Sequence, residues 1–207
     1  MWFHSPRMER SNIKSTHDIE LAQSLTRLVQ RLFGNEFHAT DIRRLSGGTS
    51  QETWAFAAAG PTHHALILRR TPPLVTAKAG GLPIESEAAL MRCAAAAGVP
   101  SPQVLHVLTE GDDLGRGFVM ARVDGETIAR KILRDGPYAE LRPRLAFELG
   151  GILARLHAIP LSALPPLRTV SAAGEAAYLR EAYAADGQPR PVFELAFRWI
   201  ADHAPAE

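Results

Sequence analysis

The stretch Leu45–Glu87 most constrains what this chain can fold into. It runs from a small-residue loop, Leu45-Ser46-Gly47-Gly48-Thr49-Ser50-Gln51-Glu52-Thr53, through two apolar segments ending in Ile67-Leu68-Arg69-Arg70, to a helix opening with Ile84-Glu85-Ser86-Glu87. Two adjacent glycines carry no Cβ, so the backbone can approach an anion closely and its N–H groups can cradle it. A basic residue on the strand behind can reach the same anion, and a carboxylate on the following helix can hold that base in place.

The surrounding pattern fits that order. Strands are expected over 39–46, 53–59 and 64–70, with Gly60-Pro61-Thr62 as the turn between the last two, which makes an antiparallel meander. Thr71-Pro72-Pro73 ends the third strand because proline offers no ladder donor. Lys78 to Pro83 is a flexible approach to a helix over 84–97, with Ala88, Met91 and Ala95 on one face and Gly98 as its stop. Two more strands are expected over 104–109 and 118–123. The turn between them carries Asp112 and Asp113, read as a solvated turn rather than a metal site.

On either side the periodicity is helical. Ala22, Leu25, Leu28, Val29, Leu32 and Phe33 form one face over 17–33, closed by Gly34-Asn35. Leu145, Leu149, Ile152 and Leu156 form another in a long helix ending at His157, read as a dipole partner at its C-terminus. Further helices are expected over 175–185 and 191–202, the last with Val192, Leu195, Ala196, Trp199 and Ile200 on one side. The expected fold class is therefore α+β, a five-stranded antiparallel sheet with one inserted helix followed by a helical portion. The expected divisions are 1–38, an N-terminal helical extension, then 39–123, the sheet, then 124–207, the helices.

Composition narrows the partners. A net charge of +1 gives no global field for nucleic acid or an anionic membrane, so any basic site is local. No stretch approaches the roughly 18 apolar residues of a membrane span. The single cysteine, Cys93, lies among alanines at helical spacing and reads as a small buried apolar residue. One cysteine forms no internal disulfide, which fits a cytoplasmic location.

Six segments in order carry a family resemblance: Leu45 to Ser50, Leu66 to Pro73, Glu87 to Met91, Gly98 to Pro102, Phe118 to Met120 with Gly125, and Leu153 to His157. Together they resemble the aminoglycoside phosphotransferase family, which is related to choline and homoserine kinases and shares the protein-kinase-like fold. Phosphotransferase domains fused to some acyl-CoA dehydrogenases are similar. The resemblance spans about residues 40–203. It implies a small nucleotide-binding lobe, a hinge and the first helices of a large lobe, with ATP and Mg2+ as cofactors and a small-molecule hydroxyl as phosphate acceptor.

Carried over by position, the resemblance gives Gly47, Gly48, Thr49 and Ser50 the loop over the ATP phosphates. Arg69 stands where the family usually has a phosphate-binding lysine, and Glu87 where it has the glutamate that pairs with it. Ile67, on the Arg69 face by strand alternation, would line the adenine pocket. Met120, Ala121, Arg122 and Val123 would form the hinge. A guanidinium is a rigid fork where an ammonium is a point charge, so the arginine changes the geometry of the clamp. Arg70 is the alternative if the register slips by one.

None of the eight histidines is followed two residues on by aspartate, so the family's His-Gly-Asp catalytic loop is not in these 207 residues. This leads to the expectation of no catalytic residue and no metal ligand here, and of a chain that stops short of its catalytic loop and is inactive alone. Two function classes stay open, the ATP-binding part of a small-molecule phosphotransferase and a non-catalytic module that binds a nucleotide or a partner.

Overall fold

The computed structural model describes residues 16–45, 51–71 and 82–204. They divide into two compact units, Met1–Pro166 and Leu167–Glu207.

The first unit begins with α1, Thr16–Phe33, which ends where Gly34 takes a φ of +125° that only glycine adopts cheaply. Its buried stripe is Leu21, Leu25, Leu28 and Val29, with Leu32 and Phe33 packed at the edge. The expected Ala22 is only half-buried, because Leu21 points more squarely into the core. Next come β1 (His38–Leu45), β2 (Glu52–Ala59), β3 (His63–Thr71), α2 (Ile84–Ala96), β4 (Val104–Val107) and β5 (Arg116–Ala121). All adjacent strands are antiparallel, in the order β1-β2-β3-β5-β4. This is the expected five-stranded sheet with one inserted helix, and the meander and strand positions agree within two residues.

β2 can be buried on both faces because Trp54 to Ala58 is apolar without a break. Trp54, Phe56 and Ala58 join Leu66, Leu68 and Val119 under α1, while Phe118 and Val104 pack on the other side under Ile84 and Ala88 of α2. Met91 closes that second cluster. Ala95 is exposed, so the buried face of α2 is Ile84, Ala88 and Met91 rather than one that continues to the helix end. β1 bulges between Thr40 and Arg43, with Asp41 at a φ of +53°. One glycine has no substitute: a Cβ on Gly117 would collide with the carbonyl oxygen of Arg69 and lie 2.9 Å from Arg70 Cα, so β5 can lie against β3 only with glycine there.

The first unit ends with α3 (Ala129–Arg134) and α4 (Arg142–His157). α4 forms as expected, yet none of its residues is buried, and Leu149 and Leu156 remain 50% and 36% exposed. Cys93 is half-buried and its thiol donates to Ala163 O at 3.3 Å, so it is not the core residue its alanine neighbours suggest.

In the second unit α5 (Ala172–Asp186) is capped by Ser171 Oγ, which accepts from Gly174 N–H at 3.0 Å, and α6 (Pro191–His203) opens on a proline. Tyr183 packs edge-on to Phe193 and tilted to Phe197, which joins the two helices. No helix among the described residues is long and apolar enough to cross a membrane.

Candidate functional site

Strand alternation sorts the side chains of the sheet into two faces. Register pairs Arg69 with Phe118 and Ile67 with Met120, and Phe118 and Met120 belong to the cluster under α2. Ile67 and Arg69 therefore share the α2 face. Leu66, Leu68 and Arg70 take the α1 face.

On the α2 face Glu87 comes to Arg69, with Oε1 3.0 Å from Nε. Arg69 Nε is buried and makes no aligned hydrogen bond, so this contact is coulombic. The terminal guanidinium nitrogens have no hydrogen-bond partner among the described residues. A fork held from one side with its tips unspent can take an anion's oxygens.

Arg70, the alternative, lies on the other face of the sheet. Its side chain is 3% exposed, and its Nε donates to Glu52 Oε2 at 2.9 Å on the opposite face. Burial pushes the Glu52 carboxyl up, but hydrogen bonds from Trp54 and Arg70 and the charges of Arg70 and Arg44 outweigh it and hold the group below its ordinary value. Arg70 is a core ion pair and faces away from Ile67.

Past β5 the chain runs out through the expected hinge. Ala121 N–H donates to Gln103 O at 2.8 Å and Arg122 N–H to Ala65 O at 2.9 Å, while the Arg122 side chain meets Asp124 at 2.9 Å. Val123 is 69% exposed and its backbone makes no hydrogen bond among the described residues, so its N–H and C=O are available. The structure thus brings Ile67, Arg69, Glu87 and Met120 onto one face, with Ala121, Arg122 and Val123 leading off its edge. Gly47, Gly48, Thr49 and Ser50 lie outside the described residues.

Two features were missed in the sequence. Glu85 grips Arg116 with both carboxylate oxygens. Asp112, read as solvated, has a fully buried side chain. It accepts from Thr109 N–H at 2.6 Å, from Thr109 Oγ at 2.9 Å and from His106 Nε2 at 3.0 Å, and it pairs with Arg31 of α1. Its neighbour Asp113 takes a φ of +54° and meets Arg27 at 3.1 Å. The distant arginines of α1 are what pull this turn inward, and the local sequence carries no sign of them.

Among the described residues no three His, Cys, Asp or Glu side chains come together as a metal site.

A five-stranded antiparallel sheet with one inserted helix, whose glutamate meets a basic residue on the third strand, is the small lobe of a protein-kinase-like fold. The chain belongs to the phosphotransferase enzyme family, whose model matches residues 41–207. No curated protein and no solved structure matches it.

Proposed function

We propose that the chain binds ATP on the α2 face of its sheet, as the nucleotide-binding part of a kinase that transfers the γ-phosphoryl group to a hydroxyl of a small molecule. The observation that carries this reading is the Arg69–Glu87 pair, in which the carboxylate lies 3.0 Å from Nε and the terminal nitrogens have no hydrogen-bond partner among the described residues. Arg69 would take phosphate oxygens, Ile67 would lie under the adenine ring, and the open backbone of Val123 would meet its polar edge. Gly47, Gly48, Thr49 and Ser50 would close over the phosphates. Most of the rate enhancement of phosphoryl transfer comes from positioning and charge stabilisation, the roles these groups would fill.

Calorimetry with ATP on the unaltered chain and on Arg69→Ala tests this. The expected result is measurable binding that weakens about tenfold or more in the variant, the scale of one charge-assisted contact. Equal heats overturn the role of Arg69. A product assay with amino sugars, choline-like alcohols and hydroxy acids separates a transferase from a module that only binds.

A further inference from the structure

Glu85 and Glu87 stand two residues apart at the start of α2, and each meets an arginine of a different strand. Glu85 Oε1 accepts from Arg116 Nε–H at 2.8 Å and Oε2 from Arg116 Nη2–H at 2.7 Å. Two parallel hydrogen bonds between planar groups fix orientation as well as distance. Glu87, by contrast, touches Arg69 without an aligned hydrogen bond, so that contact alone sets no helix angle.

The register makes the two contacts a pair. Arg116 lies opposite Thr71 and Phe118 opposite Arg69, so the two arginines occupy neighbouring rows of the α2 face on adjacent strands. A helix tied at one point pivots about it. Tied at two points on adjacent strands, it keeps both its height and its rotation.

We propose that the Glu85–Arg116 pair is a positioning clamp that holds α2 so that Glu87 presents the Arg69 guanidinium to phosphate. The clamp acts through Arg69, and it rests on the nucleotide reading given above. The hydrogen bonds from Arg116 also keep the Glu85 carboxyl below its ordinary value, so it stays charged across the neutral range. With Arg116 61% and Glu85 38% exposed, solvent screening leaves the pair little weight in global stability. Its effect is expected in the geometry of the site.

The test measures displacement of a fluorescent ATP analogue by ATP and by adenosine. It compares the unaltered chain with Glu85→Ala, with Arg116→Ala and with the charge-exchanged double Glu85→Arg/Arg116→Glu. Each single substitution is expected to weaken ATP by about three- to tenfold, as a misaligned charge-assisted contact would, and to leave adenosine unchanged. The exchanged double is expected to recover most of the loss, and the difference between ATP and adenosine is the result that a merely structural role would not produce. Unchanged ATP affinity in the singles, equal losses for ATP and adenosine, or no recovery in the double overturns the clamp. Failure of the unaltered chain to bind the analogue overturns the nucleotide site itself and the clamp with it.

Discussion

Arg70 and Glu52 form an ion pair on the α1 face of the sheet, Nε to Oε2 at 2.9 Å, with side chains 3% and 11% exposed. One residue earlier, Arg69 points to the other face and meets Glu87. Removing the carboxylate of a buried ion pair costs on the order of 3 to 5 kcal/mol. Glu52→Ala is expected to fall in that range by urea denaturation. A loss below about 1 kcal/mol would show that water reaches the site.

The same carboxylate makes stability depend on acid. Glu52 is held below its ordinary 4.5, so its contribution is complete above that pH and is lost as pH falls through the lower folded value. Unfolding free energy followed from pH 6 to pH 3 is expected to drop less in Glu52→Gln than in the unaltered chain. Parallel curves would remove Glu52 from the account.

Much of this was legible in the sequence, because strand alternation and helical periodicity are local. Period two places Ile67 with Arg69 and leaves Arg70 on the other side, and proline and glycine mark where β3 and α1 stop. What was illegible depends on long-range partners. Asp112 between glycines looks like a turn residue, and its long-range partner Arg31 lies 81 positions earlier. Glu85 and Glu87 look equivalent on paper. What separates them is Arg116, which comes to Glu85 from a strand 31 residues on.

His106 gives a second titration, at higher pH. Burial, with the charges of Arg31 and Arg92, pushes its imidazole below the ordinary 6.5 despite the adjacent Asp112 carboxylate, which Arg31 already neutralises. The neutral ring then donates Nε2–H to Asp112. Its contribution is complete above about 6.5 and lost as pH falls through the lower folded value. Between pH 7.5 and 5 the stability of His106→Gln is expected to vary less than that of the unaltered chain. A steeper dependence in the variant would reverse the assignment.

Gly117→Ala tests the closeness of β3 and β5. The added methyl must push apart the strands that carry Arg69 and Phe118, a backbone shift expected to cost on the order of 1 to 3 kcal/mol. Because Arg69 moves with its strand, nucleotide affinity is expected to fall together with the thermal midpoint. An unchanged midpoint would mean that the strands separate at no cost.

The last prediction concerns α6, where Val192, Leu195 and Trp199 follow one another at intervals of three and four and are 66%, 67% and 61% exposed. Residues at that spacing lie on one side of a helix, so these three form a continuous apolar strip. A strip of this kind in water favours burial against another surface, and in a purified sample the surface at hand is a second copy of the chain. Tyr183, Phe193 and Phe197 pack on one another within the second unit, and the strip takes no part in those ring contacts. Sedimentation velocity is expected to show concentration-dependent association that Leu195→Glu with Trp199→Gln diminishes, while the circular dichroism of the helices is retained. A chain that sediments as a monomer at every concentration, or a double variant that associates as strongly as the unaltered protein, would mean that this strip does not drive association.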